Sequence, residues 1–206
     1  MSQRDFWEEW NKEHKDTEQA SESVKEFGYL INPGCKVLEL GCGPGVDASY
    51  LAKDHKVIAT DFAESAIRQN KQEFKQLKNL EFIQHDTSER LPFKDEIFDG
   101  IYARLTLHYF DDKTTRAIFT EIHRVLKPNG VFYFVCKSTF EHFFGKGRKI
   151  NKDTFIDDAN NLRHFFSEEF TRNNLEGLFR EEKLEVKDML IYDSDSNVVV
   201  CVATKI

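Results

Sequence analysis

From Lys36 onward, short apolar runs alternate with longer amphipathic stretches, and this rhythm predicts most of the elements of the chain. Runs of four to eight apolar residues rich in β-branched types read as buried strands. Apolar positions three and four apart read instead as one face of a helix. Lys36 to Leu40 is then a first strand, Val57 to Thr60 a second, Leu80 to Ile83 a third, Ile97 to Ala103 a fourth and Val131 to Cys136 a fifth. Helices fall between them: Ala48 to Lys53, Ala63 to Leu77 with Ala63, Ala66, Ile67, Asn70, Phe74 and Leu77 on one face, and Lys113 to Leu126 with Ile118, Ile122 and Val125 aligned. Pro128-Asn129-Gly130 ends the last of these. Strands alternating with helices predict an α/β architecture, a parallel sheet covered on both faces.

Both ends depart from that rhythm. Residues 3 to 27 read as a helix or helices carrying Phe6, Trp7, Trp10, Val24 and Phe27 among many charges, closed by Asn32-Pro33-Gly34. After Lys137 comes a long polar and aromatic stretch, then a helix that Ser167 can cap, with Glu168 and Glu169 favourable near its positive end. Leu184 to Tyr192 and Asn197 to Thr204 read as an antiparallel hairpin turned by Asp193-Ser194-Asp195-Ser196. We read residues 1–206 as one domain, with 1–31 as a helical cap and 137–166 as an insert of the kind that forms lids and binding loops.

Composition narrows the classes. Hydrophobic residues make up 40% and charged residues 32%, and no apolar run approaches the roughly 18 residues of a membrane span. The opening residues lack the pattern of a signal or transit peptide, so a cytoplasmic protein without membrane attachment is expected. Cys35, Cys42, Cys136 and Cys201 have no CxxC spacing, which signals neither a metal site nor a disulfide framework. A formal charge of −7 argues against nucleic acid as a partner, since such binding draws on neutralised phosphates. The one basic stretch, Lys146, Arg148, Lys149 and Lys152, reads first as a solvated face and second as an anion site.

Candidate chemistry sits at the strand ends. In VLELGCGPG, a strand runs into a loop with Gly41, Gly43 and Gly45, where missing side chains let backbone approach a nucleotide-like ligand. A dinucleotide fingerprint needs GxGxxG, but Val46 follows Gly45 here, which disfavours a nicotinamide cofactor. Asp61 ends the second strand, 20 residues after Gly41, where it can accept from ribose hydroxyls, cap the following helix, or do both. Asp86 follows the third strand, placed to accept from an adenine amine, and the fourth strand leads to Arg104, Thr106 and His108. That edge is where open α/β sheets bind ligands.

VLELGCGPG, ATD, HDTSERLPF, FDGIYARLTLHYF and HRVLKPNGVFYF, in this order over Lys36 to Val135, resemble the motifs of the class I S-adenosylmethionine-dependent methyltransferase family. The resemblance implies a Rossmann-like seven-stranded sheet of order 3-2-1-4-5-7-6 with strand seven antiparallel, helices on both faces, here with an extra N-terminal helix. It implies S-adenosyl-L-methionine as cofactor, with Glu39 and Gly41, Cys42, Gly43 and Gly45 around the methionine part. It also implies Asp61 on the ribose, Phe62 against the adenine, Asp86 and Thr87 at the adenine edge, and Arg104 beside the sulfonium end. Arg104 departs from the small or polar residue frequent there, and a cation fits if it faces a carboxylate or an anionic substrate. The glycine, lysine and RHFFS run is similar to small bacterial methyltransferases of the tellurite-resistance and general small-molecule type.

A small-molecule methyl acceptor is the expected partner. No NPPY-like motif follows the fourth strand and no Pro-Cys pair is present, which weakens amide, base-nitrogen and pyrimidine-carbon acceptors. His108 is the candidate general base, on the expectation that its imidazole titrates near neutrality; a packed histidine is the equal alternative. Trp10, His14, Arg163 and His164 are candidate acceptor contacts, with the alternative that the insert's phenylalanines are core and Trp7 and Trp10 staple the first helix down. Transfer to protein or tRNA, and a binding module without catalysis, are the rival functions.

Overall fold

The structure is a computed structural model that describes residues 2–13, 19–191 and 194–206. In chain order its first half runs α1 (Gln3–Glu13), α2 (Glu22–Leu30), β1 (Lys36–Leu40), α3 (Val46–Leu51), β2 (Lys56–Asp61), α4 (Glu64–Glu73), β3 (Leu80–Gln84) and β4 (Phe98–Arg104). A 3-10 turn at Leu107–Tyr109 leads to α5 (Asp112–Val125), β5 (Leu126–Lys137), β6 (Arg148–Lys149), β7 (Thr154–Ile156), β8 (Leu162–His164), α6 (Glu168–Leu175), β9 (Phe179–Ile191) and β10 (Ser194–Lys205). Seven strands form one sheet in the order β3-β2-β1-β4-β5-β10-β9. The first five are parallel, and β10 lies antiparallel between β5 and β9. This is the sheet expected from the family resemblance.

Alternation along the central strands sorts side chains between two cores. Leu38, Leu40, Ile101, Ala103, Phe132 and Phe134 face Ile118, Phe119, Ile122 and Val125 of α5. Val37, Tyr102, Tyr133 and Val135 face Val24 and Phe27 of α2, Ala48 and Leu51 of α3 and Ile67 of α4. Both faces are covered, so the strands read as continuous apolar runs. Two buried tyrosines on the second face need partners for their hydroxyls. Tyr102 donates to Asp47 at 2.9 Å and Tyr133 to Glu26 at 2.9 Å, which ties the sheet to α3 and α2. Ser21 caps α2 through its hydroxyl, which accepts from the Val24 amide at 3.1 Å and donates to Asp47 at 2.7 Å.

Several sequence expectations are corrected. α4 ends at Glu73 rather than Leu77, because Phe74 leaves helical geometry. Pro128-Asn129-Gly130 bulges out within β5, where the pairing with β4 jumps from Leu126 to Val131 and Asn129 takes φ 61°. Ser194, Asp195 and Ser196 belong to β10 and pair with Ile191, Leu190 and Met189, so they are strand rather than turn, and Tyr192 and Asp193 lie outside the described residues. The 137–166 stretch is more regular than expected. β6, β7 and β8 make a small antiparallel sheet. Phe144, Phe155 and Phe165 pack edge to face at 5.4 to 6.0 Å, and Phe155, Phe165 and Phe166 are buried as core.

Phe119 meets Phe132, Phe134 and Phe179 edge to face at 5.3, 5.5 and 6.4 Å with no solvent exposure. Phe119→Ala is expected to lower unfolding stability by about 3 to 5 kcal/mol, read as a lower urea midpoint at unchanged slope.

Candidate functional site

The site forms where β1, β2, β3 and β4 end on one edge. After Leu40 the chain turns through Gly41, Gly43 and Gly45 at φ 68°, 49° and 76°. A side chain at Gly41 would overlap Thr106, whose hydroxyl donates to the Leu40 carbonyl at 3.2 Å, so glycine is required on steric grounds as well. Asp61 holds the loop from beneath: one carboxylate oxygen accepts from the Gly43 amide at 2.9 Å and the other from the Ala63 amide at 2.9 Å. The capping contact expected from the sequence is present at the Ala63 amide, and the same carboxylate also braces the glycine loop, a contact the sequence did not reveal. Asn70 of α4 donates to the Gly43 carbonyl at 2.8 Å.

Glu39 lies beside this loop, 4% exposed, and its Oε2 has no hydrogen-bond partner among the described residues. Burial lifts its carboxyl well above the usual range, helped by nearby Asp47 and Asp61 and opposed by Arg104. Burial also raises the Asp61 carboxyl and the Cys42 thiol, so Cys42 is a packed thiol rather than a nucleophile.

α1 lies across the edge and contributes residues that the motifs did not reveal. Its Glu8 carboxylate accepts from the Glu64 and Ser65 amides at 2.8 and 3.1 Å, capping α4, whose own N-cap residue is Ala63. Asn11 is buried near Gly43, and its Oδ1 is unpartnered among the described residues. Arg4 reaches Asp86 at 3.6 Å and sits 5.6 Å from the Phe62 ring centroid, so both expected adenine contacts lie under α1. Asp86 also accepts from the Ser88 amide at 3.0 Å, and Thr87 is buried beside it. Trp10 stacks edge to face on Trp7 at 5.5 Å, and Trp7 on Tyr109 at 5.2 Å, which staples the helix to the turn after β4. His14 lies outside the described residues.

His108 sits in that turn, 1% exposed, with both ring nitrogens unpartnered among the described residues. The expectation that it titrates near neutrality is corrected. Burial, then the positive charges of Arg163 and Lys137, hold it well below the ordinary histidine range. Arg163 of β8 places its guanidinium 5.5 Å from the Tyr109 ring centroid and donates from Nε to Asp157 at 2.8 Å. His164 has Nδ1 2.8 Å from the Thr154 hydroxyl and 3.1 Å from Asp112, while its Nε2 is buried without a partner among the described residues. The structure therefore brings Glu39, the glycine loop, Asp61, Asn11 and Arg104 into one region, and His108, Tyr109 and Arg163 into an adjoining one, with His164 close enough for its charge to act on His108.

Residues 37–130 match the family described as a methyltransferase domain. An uncharacterized methyltransferase of Synechocystis is 34% identical over 106 residues, 51% of this chain and 48% of the relative. A mitochondrial arginine-hydroxylase of Homo sapiens is 37% identical over 97 residues, 46% of this chain and 26% of the relative. The chain thus spans half or less of the length of these curated relatives. A crystal structure of an S-adenosylmethionine-dependent methyltransferase from Methanosarcina mazei superposes with a TM-score of 0.77 at 21% identity, covering 92% of this chain and 99% of that one. Residues 37–130 are thus similar to a methyltransferase domain, and the fold is that of the Methanosarcina mazei methyltransferase structure.

The His108 environment makes a signed prediction. An imidazole held neutral in the fold but free to protonate when unfolded, near pH 6.5, takes up protons preferentially in the unfolded state. Its contribution is present above that value and is lost as pH falls below it. His108→Leu is therefore expected to flatten the fall in stability between about pH 6.5 and about pH 5, read by urea unfolding across that range.

Proposed function

We propose that the chain binds S-adenosyl-L-methionine on the 41–45 loop and transfers its methyl group to a small-molecule acceptor. The observation that carries this reading is the buried, half-unpartnered Glu39 carboxylate beside the glycine loop. A buried acceptor without a donor costs about 1 to 3 kcal/mol, and a cationic ligand relieves that cost. With Asp47 and Asp61 nearby, Glu39 makes an acidic cradle suited to an ammonium and a sulfonium. Arg104, whose charge reaches Glu39, suits the carboxylate of the same ligand.

Asp61 retains lone pairs for ribose hydroxyls while bracing the loop, Phe62 supplies a ring face for the adenine, and Asp86 with Thr87 lines its edge. The bound cofactor supplies an electrophilic methyl carbon on a sulfonium. The chain's own part is alignment and exclusion of water, which can contribute about 7 to 11 kcal/mol without a dedicated base. Residues 1–31 and 137–166 act as two covers on one domain. They meet where the Leu162 amide donates to Gln3 at 3.0 Å, an enclosure that suits a small acceptor better than a protein or tRNA. His108 serves this chamber as a hydrogen-bonding group, with Trp10 in the cover above it. Four free cysteines, three of them buried, suit work in the reducing cytoplasm.

Calorimetric titration tests the shared core. Wild type is expected to bind S-adenosylmethionine, and Glu39→Gln and Asp61→Ala are each expected to weaken binding by about tenfold or more, roughly 1.4 kcal/mol. Absence of binding by wild type refutes the reading. Production of S-adenosylhomocysteine with a panel of small acceptors distinguishes an enzyme from a binding module.

A further inference from the structure

Charge is divided across the site. On the β1 and β2 side lie Glu39, Asp47 and Asp61, the acidic cradle described above. On the β5 and β8 side lie Lys137, the last residue of β5, and Arg163, in the middle of β8. The two sides share one edge of the sheet, since Arg104 closing β4 pairs with Val135, two residues before Lys137. Arg163 lies over the Tyr109 ring, and Tyr109 touches the His108 ring at a centroid distance of 4.4 Å. The second side of the site is therefore an aromatic wall carrying two cations, each paired with a carboxylate, Arg163 with Asp157 and Lys137 with Glu141.

These cations are built in rather than left at the surface. The Arg163 side chain is 24% exposed, and Lys137 is 12% exposed. Lys137 is fixed by Glu141 at 3.2 Å and by Ser196 at 2.6 Å. Glu141 is itself fully buried and accepts from the Asn197 amide at 3.0 Å. Arg163 spends its Nε on Asp157, which leaves the two terminal nitrogens of its guanidinium without a hydrogen bond among the described residues. That pair is the edge that grips a carboxylate through two parallel hydrogen bonds. His108, between the two cations in charge terms, adds two buried ring nitrogens that lack partners. A fixed fork with its terminal nitrogens uncommitted, beside an imidazole lacking partners and a lysine already paired with Glu141, describes a subsite for a single carboxylate.

We propose that the acceptor is a small, planar molecule bearing a carboxylate, held by Arg163 with Lys137 and His108 in the same wall and Tyr109 against its body. The inference rests on the proposed function, because the cradle and the wall make a donor and an acceptor side only if the cradle takes the cofactor. An anionic acceptor is also drawn toward a cationic donor, so the division of charge orders both ligands.

The test uses the full chain with saturating S-adenosylhomocysteine and two probes of equal shape, sodium benzoate and benzamide, titrated by calorimetry. Benzoate is expected to bind about tenfold more tightly than benzamide. Arg163→Leu is expected to abolish that preference, and Arg163→Lys to restore part of it, since an ammonium replaces the charge but not the fork. Lys137→Met, in a different strand, is expected to weaken benzoate severalfold and carries the test if Arg163→Leu fails to fold by circular dichroism. Equal binding of the two probes, no benzoate binding, or unchanged benzoate affinity in the variants overturns the proposal. If S-adenosylhomocysteine does not bind, the proposed function fails instead, and benzoate against the free chain still decides whether the anion subsite exists.

Discussion

The Asp61 carboxylate joins two pieces of backbone that the sheet alone leaves unconnected. β1 and β2 are neighbours, but the loop leaving β1 and the helix start leaving β2 turn away from the ladder at their carboxyl ends. By accepting from Gly43 and from Ala63, one buried side chain fixes the left-handed glycine turn relative to α4. Asn70 then reaches back from α4 to the same glycine, closing a short cycle of polar contacts. Such a cycle suits a carboxylate because its two oxygens accept from two directions at once. Everything placed on that loop and helix inherits their relative position: Glu39 on the near side, and Glu8 and Asn11 above.

α1 is held to this frame by polar groups more than by apolar ones. One apolar contact among the described residues is the Trp7 ring on Tyr109, and beside it Glu8 caps α4, Gln3 accepts from β8 and Arg4 reaches Asp86. Contacts of this kind are individually worth about a kilocalorie and are readily exchanged for water. The α5 face, by contrast, with Phe119 among three other phenylalanines, cannot move without opening the core.

How much of this was legible in the sequence follows from the range of each interaction. The strands and the order of loop stations were readable because apolar periodicity and a glycine turn are local signals; β1 has the expected bounds. The contact of Asp61 with the helix that follows it was readable, while its grip on the Gly43 amide, 18 residues away, was not. Glu8 was not, since its partners are 56 and 57 residues away, although Ala63 at the start of α4 leaves a helix without a side-chain cap and so calls for one from elsewhere. The small sheet escaped because strands of two and three residues are too short for periodicity to register. His108 was found by position, but its protonation was misjudged, because burial and the charges of Lys137 and Arg163 exist only once β5 and β8 are folded beside the turn.

Local rules fail at the site for a shared reason. A fold optimised for stability alone would partner the Glu39 oxygen, the Asn11 oxygen and the His108 nitrogens, since each buried orphan is unfavourable by about 1 to 3 kcal/mol. These three residues belong to different elements, α1, β1 and the turn after β4, and all lie at one edge of the sheet. The aromatic and aliphatic packing on both faces supplies the stability that lets them remain unsatisfied. On the proposed function, a ligand that meets these hydrogen bonds would gain affinity from a penalty the fold already carries. A hydrophobic replacement at any of the three would remove that penalty, and with it the site's means of selecting a polar ligand over an apolar one of the same shape.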